Sequence, residues 1–210
     1  MRSSRREFMR SGAMILGALS AGDLSATASA AEKADEHMPA QDSSALGIYM
    51  VVYDHRMPDS AAFAERSRSL GLRTEDLDRG DVTGLWYNDL YHRWKKGPVA
   101  IAGLTTYEAL FVLEGFGNDA GLRRTFSAEH RVEADRIEHR LCGPAALVRQ
   151  ASLEHCGARW SRQMALLVNR CPLWRQESIE ARATSWLPDC ANSEWNRLFS
   201  WVLTPVRRPS

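Results

Sequence analysis

Two histidines nine residues apart, His130 and His139, each sit in the tripeptide Glu-His-Arg and are the first residues in this chain whose types suggest chemistry. Imidazoles and carboxylates together are ligands for zinc and other divalent metals. The arms 122–132 and 136–142 flank Glu133-Ala134-Asp135 and read as an antiparallel β-hairpin. Pairing Val132 with Ile137 sets His130 opposite His139 on one face, because strand side chains alternate with period two. The same alternation turns Glu129 and Glu138 to the other face, so a metal held by this pair needs a third ligand from elsewhere, for example His155. The competing reading is a cross-strand pair on an exposed sheet surface.

A second set of polar residues follows an apolar run. Asp54, His55 and Arg56 come directly after Ile48–Tyr53, and Gly103-Leu104-Thr105 ends the run 98–102. If both runs are strands of an open parallel sheet, these residues gather at its C-terminal edge, where such sheets bind ligands. His55 could act as a base, Arg56 as a cation, and the free N–H groups of a helix beginning after Thr105 could take a carboxylate or phosphate. Thr105 and Glu108 have the spacing of a capping box. The turn has one glycine and matches neither GxGxxG nor the P-loop, and no GxSxG marks a serine nucleophile. A solvated loop and an ordinary capped helix are the bland alternatives.

The elements that must position these residues start near Leu46. Residues 48–53 are β-branched, aromatic and apolar, the composition of a strand covered on both faces. Pro58 to Leu70 reads as a helix stopped by Gly71, a weak strand is expected within 72–77, and Asp81 caps a second helical stretch ending at Lys95-Lys96 before Gly97-Pro98. A third helix carries a stripe of Ala109, Leu110, Val112, Leu113 and Phe116. Strand and helix alternate over 46–120, which argues for parallel βαβ units. From Pro144 to Asn169 the pattern is helical, and five of the seven tryptophans fall between Trp160 and Trp201, which suggests a region packed over the sheet, with a short strand at 199–203. Those tryptophans could build core, line a pocket or anchor a partner. The expected fold is α/β: a small, mostly parallel sheet flanked by helices, extended by an antiparallel hairpin, with a helical Trp-rich C-terminal region.

The first thirty residues read as an address. Ser4-Arg5-Arg6-Glu7-Phe8-Met9-Arg10 fills every slot of the twin-arginine pattern, residues 12–19 form an apolar core too short to span a bilayer, and Ala28-Ser29-Ala30 offers a cleavage site. This segment resembles the signals of bacterial twin-arginine (Tat) exported proteins. The resemblance implies export to the periplasm in a folded state, with the export machinery and signal peptidase as partners and no stable membrane anchor after cleavage. Residues 31–45 read as a flexible linker, and 46–210 as a single domain.

Without residues 1–30 the chain carries 23 basic and 24 acidic residues, so no positive surplus points to nucleic acid. Cys142, Cys156, Cys171 and Cys190 could pair in an oxidising compartment, in any of three ways, or remain free. None forms CxxC or CxxCH. Folded export combined with no recognisable catalytic or cofactor motif favours a binding or accessory protein, such as a small subunit assisting a redox enzyme. A small enzyme with its site at Asp54, His55, Arg56 and Thr105, and a metal at the histidines, is the alternative.

Overall fold

Residues 47–133, 135–174, 176–187 and 195–206 are described by the computed structural model. The twin-arginine segment, the linker and Cys190 lie outside them. The run Met50–Tyr53 forms strand β1, whose first three residues are buried because both faces are covered. Helix α1 (Pro58–Ser69) opens on a proline, whose fixed φ suits a first helical turn, and the chain reverses through Gly71 at φ +82° into β2 (Thr74–Asp76). The next helical stretch starts at Thr83 with Val82 as its N-cap, one residue later than expected, and Asp81 accepts from the Thr83 amide at 2.8 Å. That stretch comprises α2 (Thr83–Leu85), a π-helical turn (Trp86–Leu90) and α3 (Tyr91–Lys96). Strand β3 (Ile101–Thr105) follows, and β1 pairs in parallel with both β2 and β3.

Helix α4 (Tyr107–Asp119) leads to the hairpin of β4 (Leu122–Val132) and β5 (Arg136–Pro144), which pairs His130 with His139 and Val132 with Ile137. The chain then forms α5 (Ala145–Arg149) and α6 (Trp160–Asn169), a strand β6 (Ser178–Trp186) and a final strand β7 (Arg197–Pro205). The sheet order is β2-β1-β3-β7-β4-β5-β6.

The expectation of a mostly parallel sheet is corrected here: among the described residues, four of the six strand adjacencies are antiparallel. An apolar run fixes neither a strand's direction nor its neighbours, and β7 inserts between β3 and β4, antiparallel to both. The expected helical tail is likewise interrupted by β6, whose polar alternation carries no apolar run. The fold is therefore mixed α/β.

Two cores flank the sheet. On one side α1 and α6 press Phe63, Trp160 and Met164 onto Phe126, Leu141 and Val202. On the other, α4 and α3 bring Leu110, Leu113 and Trp94 onto Met50, Val52, Ile101, Trp201 and Leu203. Trp160 and Trp201 are completely buried, so these two tryptophans build core, whereas Trp174 and Trp186 are exposed. Beyond α4, the second face of β5 and β6 bears the exposed residues Glu138, Arg140, Cys142, Glu180 and Arg182. Antiparallel sheets tolerate such a one-sided cover.

Candidate functional site

Alternation along β4 and β5 puts His130 and His139 on the face toward α6, and there the structure departs from an exposed pair. Both rings are buried beneath the Trp160 indole, whose centre lies 4.3 Å from His130 and 5.4 Å from His139. Their Nδ1 atoms are 2.7 Å apart, His130 Nε2 is 2.8 Å from Ser200 Oγ, and His139 Nε2 is 2.9 Å from Ser185 Oγ. Ser185 donates its proton to the Leu153 carbonyl at 2.6 Å, which fixes the direction of the whole chain. Ser185 must then accept from His139 Nε2–H, His139 Nδ1 accepts from His130 Nδ1–H, and His130 Nε2 accepts from the Ser200 hydroxyl. Every ring nitrogen is engaged by a partner, so this arrangement leaves no lone pair facing a metal. His155, the suggested third ligand, is an exposed residue and takes no part in this network.

Burial and the neighbouring ring push His130 well below the ordinary histidine range, and burial pulls His139 down to about 4. Both imidazoles are therefore neutral near pH 7. The order Ser200–His130–His139 resembles a serine activated by an oriented histidine, but Ser200 is itself completely enclosed. The cluster reads as a satisfied polar lock that fixes the register of β5, β4 and β7.

Next to it, Asp59 in the first turn of α1 faces Trp160 and Ser161 at the start of α6. Burial raises its pKa to about 6, with weak opposing pulls from Ser161 and Trp160. Neither the Trp160 indole N–H nor the Ser161 hydroxyl reaches hydrogen-bond geometry with it, so those pulls come from longer contacts.

The edge of the parallel strands gathers Asp54, His55 and Arg56 as expected and adds Asp76 from β2. Asp54 is buried and grips Arg56 through two oxygens, Nε–Oδ1 at 3.0 Å and Nη2–Oδ2 at 2.6 Å. The Arg56 guanidinium and amide hold its pKa below the usual carboxylate range against the opposing effect of burial. His55 Nδ1 lies 2.7 Å from Asp76 Oδ2, and one ligand atom from each of Asp54, His55 and Asp76 falls within 4.8 Å of the others. Ser60 accepts from the Asp54 amide at 3.0 Å and donates to the Leu104 carbonyl, pinning α1 to this edge.

Gly103 and Thr105, expected in a turn at the strand end, instead lie within β3 and meet Trp201. A β-carbon on Gly103 would sit 2.5 Å from the Trp201 ring and 2.7 Å from the Val52 carbonyl. Thr105 Oγ1 accepts the Trp201 indole N–H at 3.0 Å. Gly103 makes room for Trp201, and Thr105 satisfies its polar edge. The helix N-cap is Thr106, one residue later than the capping box implied, and Glu108 interacts with it.

Cys142, Cys156 and Cys171 are free thiols on, respectively, the open sheet face, a half-buried turn and the core. Burial pushes the Cys171 thiol up to about 12, which leaves it unreactive.

Helix α4 presents a surface that its buried stripe leaves unexplained. Ala109, Leu110, Leu113 and Gly117 face the sheet, while Tyr107, Phe111 and Val112 face outward, and Phe111 is 64% exposed. Tyr107 and Phe111 are ring neighbours at 6.1 Å, and Tyr107 continues onto Phe199 of β7 at 5.5 Å. A shallow groove runs on past Gly115 between Phe111, Phe116 and Asp119. Glu108, Asn118 and Asp119 are exposed around it. Val112, expected in the buried stripe, lies outside it, as does Phe111, because a helical wheel anchored on Leu110, Leu113 and Gly117 turns both outward.

Comparisons with protein-family models, curated proteins and solved structures find no match to this chain. No described helix is long and apolar enough to cross a membrane.

Proposed function

We propose that this chain is an exported accessory protein, such as a small subunit that assists a periplasmic redox enzyme, and that it works by docking onto a partner. One observation carries the reading: the outward aromatic strip of α4, Tyr107-Phe111-Val112, which stays exposed on a helix whose other face packs onto the sheet. Contiguous exposed apolar surface with a polar rim marks protein-binding sites, and aromatic residues dominate their energetics. The rim carries both signs of charge, Glu108 and Asp119 beside Arg123, which reaches Asn118, and Arg197 over the Phe199 ring, and it suits a partner with an apolar anchor and polar flanks. Folded export, implied by the twin-arginine segment, accommodates a partner bound before translocation.

The test is purification of the chain from its native cell envelope, as wild type, Phe111→Glu and His55→Ala. A single partner in stoichiometric amount is expected with wild type and His55→Ala and lost with Phe111→Glu. A complex that survives Phe111→Glu contradicts the docking surface, and a chain that purifies alone contradicts the accessory role.

A second reading, a small enzyme with a divalent metal, is favoured by the convergence of Asp54, His55 and Asp76 at the strand edge. Arg56 already neutralises Asp54 there, which weighs against a further cation. Stoichiometric zinc or manganese uptake that Asp76→Asn abolishes would support the enzyme.

A further inference from the structure

Strand β6 closes the sheet, and among the described residues no strand lies beyond it. Its nine residues make it a long edge, and long edges are templates for pairing with another chain. Proteins commonly blunt such edges with charge, yet β6 carries charges of opposite sign two residues apart, Glu180 and Arg182, on the open face. Within the subunit Glu129 stands directly across from Arg140, whereas Arg182 has no opposite charge directly across from it. Arg182 lies directly across from Arg140, a like-charge cross-strand pair, while Glu180 is drawn 3.2 Å from Arg140 on the diagonal.

From this pattern we infer that β6 pairs with β6 of a second copy of the chain, antiparallel, about a two-fold axis through Ala181. A two-fold axis perpendicular to a sheet keeps the two faces distinct and centres the pairing on one residue. Centring on Ala181 sets Glu180 opposite Arg182 of the second copy, and Arg182 opposite its Glu180. Centring on Arg182 or on Glu180 places like charges face to face. Any other centre along β6 leaves both without an opposite charge directly across. The Ala181 register pairs residues 178–184 of each strand and puts Ala181 against itself, where its small side chain allows close approach. On the covered face it places Ile179 opposite Ala183 of the second copy. Each Glu180 then stands between its own Arg140 and the second copy's Arg182, and Arg182 gains the opposite charge directly across that its own subunit does not supply. The occupant of this edge is a second copy because the charge pattern of β6 is complementary to itself in one register. This inference is independent of the α4 docking surface, which lies on a different element.

The test is sedimentation velocity of the purified chain across a concentration series, for wild type, Glu180→Arg, Arg182→Glu and the double exchange. Wild type is expected to dimerise, and each single charge reversal to weaken the dimer about tenfold or more, because two cross-strand pairs turn repulsive. The double exchange restores the dimer. Mixing the two single variants also restores it, since a strand with two arginines then meets a strand with two glutamates. Melting curves verify that the variants stay folded. A monomeric wild type at all concentrations, dimers indifferent to the single reversals, or a mixture that fails to associate would each overturn the pairing. A dimer dissolved by Phe111→Glu and untouched by Arg182→Glu would assign self-association to α4 instead.

Discussion

The hairpin β4–β5 has two faces that differ by one residue step, and they have opposite fates. On one, His130 and His139 are sealed beneath Trp160 in a hydrogen-bond chain with defined proton positions. On the other, Glu129, Arg131, Glu138 and Arg140 form surface ion pairs, such as Glu129 with Arg197 at 2.5 Å and with Arg131 at 3.2 Å. The twice-repeated Glu-His-Arg is thereby sorted by strand alternation into a structural lock and a charged surface. Residue type alone suggested a metal site, but access and partners decide what the histidines do. The same contrast holds between the covered end of the sheet, where Gly103 yields space to Trp201, and the antiparallel end, where one face stays free.

The sharpest way to break this contrast is to remove the cover over the histidines. Trp160→Ala should cost about 3–5 kcal/mol, the usual range for deleting a fully buried aromatic, read as a lower denaturant midpoint. A near-neutral result would mean that the lock is not enclosed in solution. Next in size, His139→Leu leaves His130 Nδ1–H and the Ser185 hydroxyl without their imidazole partner, at an expected cost of about 2–4 kcal/mol. Gly103→Ala drives a methyl against Trp201 and a main-chain carbonyl, and should lower stability by about 1–3 kcal/mol.

The pH dependence is smaller and has two opposed parts. Folded histidines with depressed pKa values bind protons less readily than unfolded ones, so their stabilising contribution is full above about pH 6.5. It falls as the pH drops toward about 4, the value for His139. Asp59 runs the other way: its folded pKa near 6 exceeds the unfolded value, so it stabilises the fold below about pH 4 and loses that contribution as the pH rises through 6. Asp59→Asn should therefore raise stability at pH 8 by about 1–2 kcal/mol, allowing for its partial exposure, and steepen the acid loss between pH 6.5 and 4. An unchanged acid limb in chemical denaturation at several pH values would contradict the assignment.

The local parts of this structure were legible in the sequence. The pairing of His130 with His139 follows from the hairpin's alternation, and the parallel β1, β2 and β3 follow from strands separated by helices. What was not legible depends on contacts distant along the chain. Trp201 donates to Thr105 across 96 residues, and no local pattern announces that β7 will occupy the centre of the sheet and turn Gly103 into a packing residue. Ser200, Ser185 and Trp160 complete the histidine lock from three separate elements. Asp76 joins Asp54 and His55 only because β2 lies beside β1. Strand β6 escapes a sequence reading because Ile179, Ala181 and Ala183 alternate with charged and hydroxyl residues, and two of the three are small.

We propose that the enclosed histidines hold the fold and that the exposed face of α4 binds the partner. One paired measurement tests it most directly: partner binding and melting temperature for Phe111→Glu beside His139→Leu, at a temperature where both are folded. The account predicts that Phe111→Glu loses the partner with its melting temperature unchanged, and that His139→Leu melts earlier but still binds. Retained binding by Phe111→Glu together with lost binding by folded His139→Leu would contradict it.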